Sequence, residues 1–498
     1  MTADAPPKSR LTGRIAVSNT VAMLASRVFC AALGLVATMV IARMLPGVEW
    51  GYFSFVFGLL GMLAIITDLG VGRAVIGKLV HGEPDEVAEI ATSFIVLRTL
   101  LGLLGYVIAV GYVVVSGCPR EVIVATALAG IVVVIATPSH ALTVLFESTM
   151  RMTVVAASEA LARAVQVALT VLAVLWAPTL LVVIVPALIY ELVSIGIKIV
   201  GVARGLGGPI PARHIQFSWW GPMLREALPL SIGLALIIML QKVGLLLLGH
   251  FDTFESVGHF AVGMKFADLL DTAAVAVIAP VTTLLVAVWP ADPTRFRQYF
   301  RQGTAALAAL MFLALVAFWP VADDVIALLF GQAFTIADTA SRVQIVAALF
   351  GALAHLALVA LMAAGRSTLI PGVAAAALAV NLVVAWPLIA ADSFTGAAVA
   401  GLVAQVVLLV AIWVALRVAV GIRRLIPLWP MSLLAVAAAG VAWAGTVVAR
   451  QWEPPWLLTA AVVSVGYLVL ASAVLHFTVG LTITRLRGHK PDDTVADR

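Results

Sequence analysis

An all-α polytopic membrane protein of about 14 transmembrane helices is the fold class this sequence predicts, on three observations. Of 498 residues, 63% are hydrophobic and only 11% are charged, where soluble domains carry roughly 25% charged residues. The apolar residues gather in stretches of about 20 or more, enough to cross a hydrocarbon core roughly 30 Å thick. Short breaks of Pro, Gly or charge separate these stretches and leave little chain for an aqueous domain.

Residues 1–14 (MTADAPPKSRLTGR) are polar and basic, and no small-residue cleavage pattern follows, so they read as a cytoplasmic tail and not a signal peptide. Six spans are predicted at 15–42, 50–77, 92–115, 122–145, 154–176 and 180–203, forming an N-lobe over 15–203. A basic connector rich in Pro and Gly, 204–225, leads to six more at 226–249, 257–288, 302–329, 340–364, 369–391 and 396–417, a C-lobe over 226–417. Spans at 430–449 and 456–482, within 418–482, complete the set before a tail at 483–498. The thinnest separations are 177–179 and 392–395.

The basic residues orient the chain. With the N-terminus inside, 21 Lys and Arg fall on the cytoplasmic side, among them Lys8, Lys78, Lys198, Arg204, Arg297 and Arg366, against Arg43, Arg120 and Arg450 outside. This positive-inside bias places both termini in the cytoplasm of a plasma-membrane protein and supports an even number of spans, since a missed helix would invert every later loop. The same bias accounts for the net charge of +5, so a nucleic-acid partner is not implied. Cys30 and Cys118 lie far apart and make neither a disulfide framework nor a CxxC metal site. No cofactor or metal is expected.

A faint repeat at an offset of 207 residues aligns Trp50-Gly51-Tyr52-Phe53 with Val257-Gly258-His259-Phe260. Two six-span lobes in a parallel pseudo-repeat follow, because an even number of spans per lobe preserves orientation. Substrate would then sit in the cleft between them.

Several motifs resemble a known family. Asn19 is followed by Ala42-Arg43-Met44-Leu45-Pro46, then Glu49-Trp50-Gly51-Tyr52, then Thr67-Asp68-Leu69-Gly70. Further matches surround Leu228-Pro229, Val257 to Phe260, and Leu328 to Phe334. In this order they resemble the polysaccharide transporter branch of the multidrug/oligosaccharidyl-lipid/polysaccharide (MOP) exporter superfamily, the O-antigen and teichoic-acid type flippases. The resemblance covers most of residues 15–420, with Trp50 where Tyr is usual. It implies two six-helix bundles in a V, a central cavity, and movement of a lipid-linked glycan whose tail enters between spans 1 and 8.

Ionisable groups inside spans cost about 2.5 to 3.5 kcal/mol on insertion scales and are functional candidates by default. The cationic candidates for cargo are Arg27, Arg163, Lys242 and Lys265, with Arg98 and Arg342 nearer span ends. Arg27 has no acid within one turn, and a guanidinium can grip a phosphate by paired hydrogen bonds; the competing role is an ion pair with Asp68. Glu159 and Arg163 stand at i and i+4, the spacing of an intrahelical pair. Lys265, Asp268, Asp271 and Thr272 share one helix face. Asp68, Glu191, Asp268 and Asp271 are the coupling or polar-cavity candidates. Gln166, Gln344, His355, Asn381 and Gln405 read as inter-helix hydrogen-bonding groups.

The expected function is therefore a flippase for a polyprenyl-diphosphate-linked oligosaccharide, a precursor of cell-surface polysaccharide, working by alternating access. Its partners would be that glycan carrier, membrane lipids, and glycosyltransferases or a polymerase of the same pathway. A lipid II flippase and a cation-coupled drug exporter are the alternatives. A membrane glycosyltransferase or polymerase using Asp323 and Asp324 is disfavoured, because the outer connections are too short to hold acceptor sugars. The glycan itself is not legible.

Overall fold

A computed structural model describes residues 26, 29–68, 71–81, 84–206, 215–422, 425–452 and 454–479. Among these every regular element is helical. Hydrocarbon forces that outcome, because an unpaired backbone N–H or C=O has no water to bond there.

The first six predicted spans correspond to α1 (Phe29–Met44), α2 (Gly47–Asp68) with α3 (Val71–His81), α4 (Pro84–Val115), α5 (Arg120–Ser148), α6 (Met152–Trp176) and α7 (Leu180–Ala203). Span 2 falls on α2 and α3, which flank residues 69–70, outside the described residues. The next six are α8 (Trp220–Phe251), α9 (Phe254–Val288), α10 (Pro293–Phe318) with α11 (Ala322–Phe330), α12 (Asp338–Ala363), and the two halves of α13 (Ile370–Val420). The halves of α13 meet at non-helical Asp392 and Ser393, the latter at φ 46°. There the chain folds back so tightly that a Cβ on Gly396 would lie 1.9 Å from the Leu388 carbonyl oxygen. α14 (Leu428–Trp452) and α15 (Trp456–Val479) end the described chain. At the close of α13, Gly421 takes φ 69° and returns its N–H to the Arg417 carbonyl, a conformation that costs glycine no Cβ clash.

The chain divides into two compact units. The first holds residues 1–262, 329–331 and 370–400. In it α4 packs on α5, α5 and α6 on α7, and α2 on α5 and α8. The last part of the connector is held: the Gln216 N–H donates to Ser93 Oγ at 3.0 Å and Trp220 Nε1 to the Ser93 carbonyl at 3.1 Å. Trp219, Trp220 and buried Met223 join the core of Val75, Phe94, Leu142 and Phe146. In the same unit α2 meets the start of α9 at the repeated motif, where Trp50 Nε1 donates to the Gly258 carbonyl at 3.0 Å.

The second unit holds residues 263–328, 332–369 and 401–498. α10 is its hub, touching α12, α14 and α15. Asp292 caps α10 by accepting the N–H of Thr294 and Arg295, and Pro293 opens the first turn. Between α14 and α15 lies a groove of about 590 Å³, lined by Val436, Gly440, Val441, Val462, Gly466 and Leu470 among other apolar residues.

Candidate functional site

Among the described residues of the first unit, α5, α6 and α7 build a polar cluster. Arg163 stands eleven residues into α6 and Glu191 eleven into α7, about 16 Å from either helix start at 1.5 Å per residue. Both therefore lie near the middle of a span. The guanidinium of Arg163 sits 4.5 Å from the ring centroid of Tyr190 and donates from one nitrogen to Gln166 Oε1 at 2.7 Å. Its Nε is buried and makes no hydrogen bond to the described residues.

Glu159 does not close the helical pair with Arg163 that its spacing predicts. It lies 3.9 Å from Lys198 Nζ instead, and Lys198 also donates to Ser139 Oγ on α5 at 3.1 Å. Lys198 reaches across from α7, and a charge buried to 1% exposure draws the nearest carboxylate because water is not there to solvate it. Glu191, also buried, feels Lys198 and Arg163 as opposite charges and Glu159 as a like one. Two acids and two bases thus lie within electrostatic reach of one another. Ser26, ahead of α1, donates its Oγ to the Ala156 carbonyl of α6 at 3.0 Å.

Of the residues singled out from sequence, Arg163 and Glu191 are brought together here. Arg27 lies outside the described residues, as does the side chain of Asp68, the last residue of α2. Lys242 is half-buried on α8 in the first unit, and Lys265 is half-buried on α9 in the second; both are engaged by neighbours. Asp268 and Thr272 are exposed and Asp271 half-exposed, midway along α9, with Thr272 Oγ1 donating to the Asp268 carbonyl at 2.9 Å. A carboxylate at that depth is costly in lipid, so this face of α9 requires a polar environment.

Lys198, Tyr190 and Ser139 were not among the sequence candidates. Lys198 stands five residues before the end of α7 and reads as a cytoplasmic flank. The available signal was its i+7 relation to Glu191, which puts both on one face. Asp323, considered as half of a catalytic pair, lies 3.4 Å from Arg342. Arg342 also binds Asp338 and donates to the Trp319 carbonyl at 3.1 Å, so the acid belongs to a helix-end ion network.

The family profile described as "Polysaccharide biosynthesis protein" matches residues 40–339. No curated protein sequence matches the chain. Among solved structures, the lipid II flippase MurJ in an inward closed conformation is similar with a TM-score of 0.75 at 12% identity, over 93% of this chain and 99% of that one. An inward-facing multidrug resistance MATE family transporter of the MOP superfamily gives a TM-score of 0.66 at 13% identity, over 79% and 94%. A MOP superfamily transporter from Pyrococcus furiosus, described as having a binding pocket of reversed polarity, gives 0.62 at 12% identity, over 82% and 95%.

Proposed function

Because the chain belongs to the polysaccharide biosynthesis protein family, we propose that it is a flippase carrying a polyprenyl-diphosphate-linked oligosaccharide across the cytoplasmic membrane. Its fold is the one seen in MOP-superfamily transporters. The observation that carries the reading is the Arg163 guanidinium, held mid-span against Tyr190 and Gln166 with a buried donor to spare. Such a group binds a diphosphate by paired, charge-assisted hydrogen bonds, and low dielectric strengthens them.

Arg27, Lys242 and Lys265 are the further cationic contacts of this reading, and Asp68, Glu191, Asp268 and Asp271 the polar-cavity or coupling groups. The lobes 15–203 and 226–417 would alternate access, with both termini in the cytoplasm. The groove between α14 and α15 suits an isoprenoid tail, since its lining is almost wholly apolar. An inside-negative potential drives anionic phosphate outward, by about 2.3 kcal/mol per charge per 100 mV. The likeness to MurJ favours lipid II as the second reading of cargo, with the same phosphate chemistry.

Flipping of a fluorescent polyprenyl-diphosphate sugar in proteoliposomes tests the proposal. Wild-type protein should accelerate flipping over protein-free vesicles, Arg163→Ala should abolish the gain, and Arg163→Lys should keep part of it. No acceleration by the wild type overturns the reading. For Arg27, full transport by Arg27→Ala with Asp68→Ala would assign it to ion pairing and not to cargo.

A further inference from the structure

Among the described residues α12 ends the most enclosed span. Over Gln332–Ala363, 61% of the membrane-crossing window is buried, against 22 to 44% for the other long spans. α12 presents no exposed large apolar side chain, whereas Val436 and Trp443 on α14 are each 71% exposed, as a lipid-facing surface requires. Beyond its first turn α12 exposes a single side chain, His355. This residue stands eight before the end of the helix, about 12 Å inside it at 1.5 Å per residue.

His355 makes none of the inter-helix hydrogen bonds that the sequence suggests, and no ion pair or ring contact, to the described residues. The protein around it nevertheless withdraws the imidazole from bulk water, so it opens on a recess and not on the outer surface. Half-exposed Ala347, Gly351 and Val359 continue the same helix face in steps of four. Beside that face, a Cβ on Gly351 would lie 3.2 Å from Gln405 Oε1, a buried acceptor with no donor among the described residues. An unmet buried acceptor costs about 1 to 3 kcal/mol, and water entering a polar recess relieves that cost.

The charged groups of the surrounding elements are few. α9, which meets the start of α12 where a Cβ on Gly263 would lie 2.9 Å from Ser341 Cα, carries Lys265, Asp268 and Asp271, all engaged by neighbours. α10 carries none from Gln302 to Phe318, the segment Gln332–Ala337 none, and α13 none from Gly401 to Leu416. On α12 itself Asp338 and Arg342 pair with each other at the first turn.

We propose that His355 is a proton-binding site reached by water within the membrane-spanning part of α12. A polar side chain exposed at this depth is costly in lipid, and the enclosed face of α12 gives it an aqueous lining instead. The ordinary range of histidine places the charge change between about pH 5 and 8, and the bound proton adds one positive charge to the recess. The site stands without any cargo; its control of the pH dependence of flipping rests on the flippase reading.

Two measurements test the site without transport. In the full chain carrying Cys30→Ala and Cys118→Ala, placed in nanodiscs, His355→Cys should react with a negatively charged methanethiosulfonate about tenfold or more faster than Val436→Cys, because only a thiol that meets water forms the reactive thiolate. Equally slow labelling of the two overturns access by water. NMR of the isotope-labelled histidines should show one imidazole signal that titrates between about pH 5 and 8 and is missing from His355→Gln. A His355 signal constant over that range overturns proton binding. In proteoliposomes the pH profile of flipping should flatten in His355→Gln. An unchanged profile overturns the link to transport, and no flipping by wild type overturns the flippase reading while the titration stands.

Discussion

Gly51 and Gly258, 207 positions apart and equivalent in the internal repeat, pack against each other. A Cβ on Gly51 would fall 1.7 Å from the Phe254 carbonyl oxygen and 3.4 Å from the Gly258 nitrogen; one on Gly258 would meet Trp50 at 3.0 Å and the Gly47 carbonyl at 3.1 Å. The repeated glycines permit α2 and α9 to touch backbone to backbone, the close approach that small residues allow in membranes.

Gly51→Ala should therefore separate α2 from α9, because the obstacle is a carbonyl and not a movable side chain. Overpacking of this kind costs about 1 to 3 kcal/mol or more. Thermal unfolding in detergent should show a lower midpoint for Gly51→Ala than for Gly61→Ala, where a Cβ meets nothing within 4 Å. Equal midpoints would refute the contact.

Trp50→Phe removes only the indole donor to Gly258, a loss of about 1 kcal/mol. A cysteine placed at Tyr52 should become more reactive to maleimide in that background, since the α2–α9 contact is loosened. Unchanged reactivity would show that the hydrogen bond does not hold the contact closed.

Lys198→Met leaves Glu159 without its ion-pair partner and Glu191 with Arg163 as its remaining opposite charge. Glu159 is about a third exposed, so the loss should fall below the roughly 3 to 5 kcal/mol of a fully buried pair broken from one side. Glu159→Gln combined with Lys198→Met should recover part of that loss, measured as the unfolding midpoint. A neutral Lys198→Met would show that the pair carries no stability.

Cys118, between α4 and α5, tests topology with a native residue. Burial pushes its thiol pKa above the ordinary 9.0, so the thiolate fraction is small near neutrality. An impermeant maleimide applied outside should label it slowly, with a rate rising about tenfold per pH unit below the pKa. Labelling confined to inverted vesicles would reverse the orientation inferred from the basic residues.

Filling the groove tests the tail. Gly440 has open space where its Cβ would be, so Gly440→Leu should fold normally and narrow the groove between α14 and α15. Flipping of a long-chain polyprenyl carrier should slow more than that of a short-chain one. Equal slowing would place the tail elsewhere.

The all-helical, polytopic character of the chain was legible in the sequence, because hydrocarbon demands long apolar runs and every backbone group must pair within its own segment. The turn at Asp392–Ser393 was visible as a four-residue gap, and the repeat at Gly51 and Gly258 as a shared tetrapeptide. Partners were not legible. Glu159 and Arg163 satisfy the i, i+4 rule, yet Lys198 on another helix takes the acid and Tyr190 takes the base. Periodicity specifies which residues share a face of one helix; which faces meet depends on packing between segments distant in sequence. In a low dielectric that choice decides which charges are neutralised and which buried donor keeps no partner among the described residues.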